Sequence, residues 1–97
     1  DVEVKAPVVQ SVDVELSVLP KNGIAFEVVQ AAVKQSVAAF FTGRLLGRAV
    51  RLAELGSRIY ALEGVENYRF SAPAGDMAAE DTVLPVLGTL HVVEMEA

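Results

Sequence analysis

The segment IAFEVVQAAVKQSVAAFFT, residues 24–42, decides how the chain folds. Its large apolar side chains recur at steps of three and four residues, which is typical of one face of an amphipathic helix. They are Phe26, Val29, Val33, Val37 and Phe40. Burial contributes roughly 1.5–3 kcal/mol for each such side chain, and the sum rivals the net stability of a small domain. We therefore predict a central helix over Ile24–Thr42, without which the chain does not fold.

The opposite side of this predicted helix is polar and carries Glu27, Lys34 and Gln35. Val28 also points away from the apolar stripe. Two interpretations of Val28 stay open: it is an ordinary surface side chain, or it contacts a partner protein.

The chain is apolar for its length. Of its 97 residues, 53% are hydrophobic, and the mean hydropathy is +0.42. A chain of this size forms a single domain, here residues 1–97, and buries only about 60–65% of its unfolded surface. Either the sheet is covered on both faces, or another chain completes an apolar surface. The second explanation is favoured, because a small two-layer domain normally leaves one sheet face in water.

The charge and the ends of the chain exclude several classes of protein. The net charge of −5 disfavours nucleic-acid binding, which needs a basic face. The absence of cysteine excludes disulfides and thiolate metal sites, and no apolar run has the length of a membrane span. The start, Asp-Val-Glu-Val-Lys, is not a signal peptide and looks like an internal cut point. We therefore expect a piece of a larger protein.

Apolar–polar alternation predicts the strands. The first covers Val8–Leu19, another covers Val65–Ala72 and the last covers Val86–Met95. A short strand is expected at Arg48–Arg51, followed by a second helix that carries Leu52, Leu55, Ile59 and Leu62 on one face. The predicted order is therefore β-α-β-α-β-β.

This order predicts an α+β fold: a small mixed, mainly antiparallel sheet with two helices packed on one face. The last two strands are sequential and are expected to pair as antiparallel neighbours. Gly43 is expected to end the first helix in the left-handed conformation. Gly56 inside the second helix indicates a close approach to the first helix or to the sheet.

No residue pattern points to catalysis or to a metal. Asp13 and Glu15 are read as paired carboxylates or, preferably, as a solvated strand face. His91 is the only histidine and is expected to be an ordinary strand residue. The acidic loop over residues 73–81 lacks the spacing of a calcium loop, and a mobile or partner-ordered loop is expected there. We expect a protein that is not an enzyme and needs no cofactor.

A basic connector follows the first predicted helix and contains Arg44, Arg48 and Arg51. Its glycines do not have the spacing of a phosphate-binding loop, and no Lys-Ser/Thr follows them. The arginines are either solvated or face an acidic partner surface. With Val28, they form the predicted interface.

The C-terminal strand carries Leu84, Pro85, Val86, Leu87, Gly88, Thr89 and Leu90. This sequence segment resembles the C-terminal end of baseplate J-like proteins, the wedge components of contractile phage tails such as that of phage Mu. The similarity extends back to Val12 through the Pro20–Gly23 turn and the central helix. Two departures are Ala53, where a Ser-like helix cap is expected, and His91, where Thr is common.

The resemblance implies a structural assembly module, the C-terminal domain of a larger baseplate protein, and not an enzyme. The implied partners are other baseplate or tail proteins and a second copy in a homodimer or higher oligomer, with no nucleic acid and no membrane. The implied location is the virion tail baseplate, assembled in the bacterial host cytoplasm. The alternative is a ferredoxin-like regulatory or small-ligand-binding domain, whose polar candidates are Arg44, Arg48 and Tyr68.

Overall fold

The order of elements in the chain is strand, helix, helix, strand, strand. A computed structural model describes residues 8–42 and 45–96. The elements are β1 (Val8–Pro20), α1 (Phe26–Phe40), α2 (Leu52–Tyr60), β2 (Val65–Ala72) and β3 (Val83–Glu94). The fold is α+β with a mixed sheet, as the sequence predicts, but the described residues form three strands where four were predicted. Gly43 and Arg44, named above as a helix stop and an interface residue, lie outside the described residues.

Helix α1 buries the face that its sequence predicts. Four side chains of the apolar stripe are buried, and Val33 and Val37 are fully inaccessible to solvent. Lys34 and Gln35 are exposed on the other side. The helix is two residues shorter at each end than predicted, and no side chain caps its first turn.

Strand β1 is the centre of the sheet. Its alternation is confirmed, since Val12, Val14, Leu16 and Val18 are at most 3% exposed. The intervening side chains from Ser11 to Glu15 are exposed. These buried residues and those of both helices belong to one core cluster.

The predicted pairing of the last two strands is wrong. The sheet order is β2-β1-β3, with β1 antiparallel to β2 and parallel to β3. The parallel pairing is the longer one, from Val8 to Val18 of β1, so the sheet is not mainly antiparallel. A parallel pair requires a crossover in place of a hairpin. The crossover from β1 to β3 contains both helices and β2, and its last loop, residues 73–82, leads from β2 past β1 to β3.

The crossover loop is anchored on the helix side of the sheet. Met77 and Val50 exchange two backbone hydrogen bonds of 2.8 and 2.9 Å. The N–H of Leu52, the first residue of α2, donates to Asp76 Oδ1 at 2.8 Å. Asp76 therefore caps α2 from 24 residues away, where no side chain at Arg51 does so. These contacts prevent the hairpin that sequence adjacency suggests.

Two further expectations are corrected by the same anchors. The predicted short strand Arg48–Arg51 is reduced to the single bridge at Val50, because its only strand-like partner is Met77. The loop over residues 73–81, expected to be mobile or ordered by a partner, contacts the start of α2 through Asp76 and Val50 through Met77.

The glycine in α2 marks a close approach to the sheet, as predicted. Gly56 is buried, and the hydroxyl of Tyr68 on β2 fills the space that a Cβ atom would take. Tyr68 pairs with Val18 and so lies on the helix-covered face of the sheet. The absence of a side chain at Gly56 lets α2 lie directly on this ring.

Candidate assembly surface

A β-bulge interrupts the β1–β3 pairing inside the segment that resembles the baseplate proteins. Val12 pairs with Leu87 and Val14 pairs with Leu90, so β3 contains one residue more than β1 over this stretch. The extra residue shifts the phase of β3. Leu87 and Leu90 consequently both pack against the core although they are three residues apart.

Asp13 completes the bulge. The Thr89 N–H donates to Asp13 Oδ1 at 3.0 Å, a bond between residues 76 positions apart. This backbone hydrogen bond lowers the pKa of Asp13, with further lowering by the Thr89 side chain and by His91. The carboxylate therefore replaces a ladder partner that the bulge removes. We expected Asp13 to lie on a solvated strand face. Asp13 is exposed, but its carboxylate also accepts the hydrogen bond from the Thr89 N–H.

Gly88 leaves the space in which Asp13 reaches Thr89. A Cβ at Gly88 would overlap Ser11 Oγ and would lie 2.6 Å from Asp13 Oδ1. The Gly88-Thr89 pair of the motif is thus explained by packing at the bulge. The sequence does contain a signal for the bulge. Residues three apart in a regular strand point to opposite faces, so a regular strand cannot bury both Leu87 and Leu90.

Gly88→Ala is expected to destabilise the fold by about 1–3 kcal/mol, because the new methyl group overpacks the bulge against Ser11 and Asp13. Urea unfolding of the variant measures this. The matched control is Gly75→Ala, since nothing lies within 4 Å of a Cβ at Gly75. Equal unfolding midpoints for the two variants would contradict the role assigned to Gly88.

Among residues 8–42 and 45–96, no second layer covers one face of the sheet. We call this the open face; it carries Ser11, Asp13, Glu15 and Ser17 of β1 with His91 and Val93 of β3. Glu15, Ser71, His91 and Val93 line a shallow depression of about 310 Å³ on it. Val93 is 55% exposed. The open face is therefore mostly polar, with the carboxylates of β1 along its centre.

Two of the predicted interface residues, Val28 and Arg48, lie on separate parts of the surface. Arg48 is exposed in a groove with Phe40, Glu54 and Arg58, at the C-terminal end of α1. Within that groove, the guanidinium of Arg58 lies 5.4 Å from the centre of the Phe40 ring. Val28 is 64% exposed but belongs to the first turn of α1, so the 15-residue helix separates it from Arg48.

Arg51 directly precedes α2 and is exposed. It therefore extends the basic connector of Arg48 along the chain toward α2. Arg44, the third arginine of the predicted interface, is not among the described residues.

Other kinds of site have no counterpart in the described part of the chain. Over residues 8–42 and 45–96, no group of three or more His, Cys, Asp or Glu side chains is arranged to hold a metal ion. In the same ranges, neither helix combines the length and the apolar character needed to cross a membrane.

Comparison with known families assigns the chain. The sequence pattern of the Baseplate J-like protein C-terminal domain matches residues 12–93, from the buried face of β1 to the end of β3. The chain belongs to this family. A comparison with curated proteins found no match.

Membership places this baseplate J-like domain among the structural components of phage tails. It indicates a structural role in a tail baseplate and interaction with other tail or baseplate proteins. The match includes the bulge and Asp13, so the resemblance noted for Leu84–Leu90 extends to the strand that supports it.

Proposed function

We propose that this domain is an assembly module of the baseplate wedge, which holds neighbouring tail proteins through protein–protein contacts. We further propose that residues 1–97 form a single domain, the C-terminal domain of a larger baseplate protein that assembles in the host cytoplasm. The family match over residues 12–93 carries this proposal.

The surfaces of the domain support an assembly role. One face of the sheet lacks a second layer, and exposed valines occur on several elements: Val8, Val9, Val28 and Val93. Such apolar side chains are common singly on any protein surface, but here they accompany an open sheet face and a basic connector. These surfaces suit contacts to neighbouring proteins, and homodimer formation is one of the proposed outcomes.

Co-purification with the baseplate proteins encoded beside it tests the proposal. We expect a stable complex with at least one of them, measured by size-exclusion chromatography with light scattering. A strictly monomeric domain at high concentration that binds none of these components would contradict the wedge function.

Arg48→Glu is expected to leave folding intact and to weaken association with an acidic partner surface. Arg48 is exposed, so its charge is not needed for the core, while charge at an interface mainly raises the association rate. We expect the rate constant to fall by about two- to tenfold at low ionic strength. Lys34→Glu, the same charge reversal on the exposed side of α1, is the matched control. Equal rates for both variants would dismiss the basic connector as a contact.

The small-ligand alternative has less support. Its two described polar candidates do not converge: the hydroxyl of Tyr68 packs against Gly56, and the groove that contains Arg48 does not include Tyr68. A thermal-shift screen against amino acids and nucleotides distinguishes the two functions, since a saturable shift would favour a regulatory domain.

A further inference from the structure

The backbone of β1 sends its hydrogen bonds alternately to its two sides. At one end, the Val8 N–H donates to Thr82 O at 2.7 Å; at the other, Val18 O accepts from the Met95 N–H at 2.9 Å. Even-numbered residues of β1 therefore face β3 throughout. Odd-numbered residues face the β2 side, because neighbouring residues in a strand alternate.

Over residues 8–42 and 45–96, no strand pairs with the first half of β1 on its β2 side. Pairing with β2 begins only at Glu15, opposite Ala72, and no other described strand adjoins β1 there. The N–H and C=O groups of Val9, Ser11 and Asp13 thus point to an open edge, roughly 15 Å long. We call residues 9–13 the free edge of β1. Val9 is 62% exposed, and Ser11 and Asp13 are exposed too.

The described part of the chain does not fill this edge. Strand β2 ends at Ala72, opposite Glu15, and Pro73 follows it. The chain then turns to the helix side, where Asp76 and Met77 are held. The free edge is therefore left open by the same contacts that create the crossover.

The outer edges of the sheet, on β3 and β2, are protected against pairing with a further strand, and the free edge of β1 is not. On β3, the Gly47 N–H donates to Val83 O, Pro85 lacks an N–H, and Gln30 Nε2 donates to Val92 O at 2.8 Å. On β2, Asn67 Oδ1 accepts from the Tyr68 N–H at 2.9 Å. Such devices block strand addition. No proline or lysine occurs in residues 9–13.

We propose that an extended, basic segment of a neighbouring protein adds to the free edge as a further strand, antiparallel or parallel to β1. Backbone groups of an extended chain are what an open strand edge binds. Charge selects the partner: Asp13 and Glu15 flank the edge on the open face, and β1 contains no Lys or Arg. A second copy of β1 would bring further carboxylates to that face. This inference rests on the proposed assembly function and names the kind of partner.

Binding of a synthetic peptide tests the inference without any baseplate protein. The probe is an end-blocked peptide of alternating Val and Lys, with a Val and Glu peptide as the charge control. We expect saturable binding of the Lys peptide alone, with slowed amide exchange at Val9, Ser11 and Asp13. Binding of neither peptide, or of both equally, would overturn the proposal.

Ser11→Pro removes one edge N–H without removing a bond to β3. We expect the variant to bind the Lys peptide at least about tenfold more weakly, whereas Ser11→Thr, which keeps the N–H, binds normally. Val9→Pro provides a second test if Ser11→Pro melts at a much lower temperature. Undiminished binding of the Lys peptide by a folded proline variant would overturn the proposal. Slow amide exchange at Val9, Ser11 and Asp13 that results from self-association of the domain would overturn it too.

The peptide-binding assay and the co-purification test can fail independently of each other. Failure of the peptide assay with a stable wedge complex would remove the strand-addition site and leave the proposed function standing. Peptide binding without any complex among the baseplate proteins would contradict the wedge function alone.

Discussion

Val33→Asp is expected to abolish the cooperative unfolding transition of the domain. Val33 is fully buried in the core cluster, and none of the described buried side chains is polar or charged. An aspartate there has no partner, so its carboxylate is either buried alone or protonated at a cost. A loss of more than about 4 kcal/mol is close to the whole stability of a domain at the lower end of the usual range of roughly 5–15 kcal/mol.

Circular dichroism during heating measures this effect. The control is Val28→Asp, the same substitution in the same helix at a side chain that is 64% exposed. We expect the control to melt close to the parent chain. A parent-like melting curve for Val33→Asp would show that the buried face of α1 has been assigned incorrectly.

Gly56→Ala is expected to lower stability although alanine is the better helix former by about 1 kcal/mol. The new Cβ would lie 2.8 Å from Tyr68 Cζ and 3.0 Å from Cε2, with the hydroxyl closer still. Relief requires α2 or the ring to move, because this close contact leaves no free space. We expect a loss of about 1–3 kcal/mol in urea unfolding.

A double-mutant cycle separates this clash from an effect on the helix alone. Tyr68→Phe removes the nearest atom, so Gly56→Ala is expected to cost less in that background. Ser57→Ala, at the exposed neighbour in α2, is the control for helix propensity. An increase in stability on Gly56→Ala would contradict the packing of α2 on β2.

Sequence reasoning predicted the role of Gly56 but did not predict that of Asp13. An isolated glycine in an apolar helical pattern predicted a close approach, and Tyr68 is the partner in that approach. Asp13 was one of two alternating carboxylates and had no local sign of a role. Its partner is the Thr89 N–H, which is exposed for binding only because a bulge forms in another strand.

The N-terminal cap of α2 also could not be predicted from the sequence near it. Ala53 departs from the family pattern, which suggested a weaker start of α2, but the cap comes from Asp76 in the crossover loop. A cap supplied through space leaves no pattern near the helix that it serves, whereas a local cap occurs within the first turn.

The sequence by itself determined both helices, the three strands of the sheet and the buried faces of α1 and β1, because helix and strand periods are local and can be read from the spacing of valines in α1 and β1. It also determined the family, through the resemblance at Leu84–Leu90 and in the segments back to Val12. Only the tertiary structure decided that β1 lies between β2 and β3. That order depends on where the loop over residues 73–82 is held, and its anchors, Val50 and Leu52, lie far from it in the chain. The same distant contacts leave the free edge of β1 open.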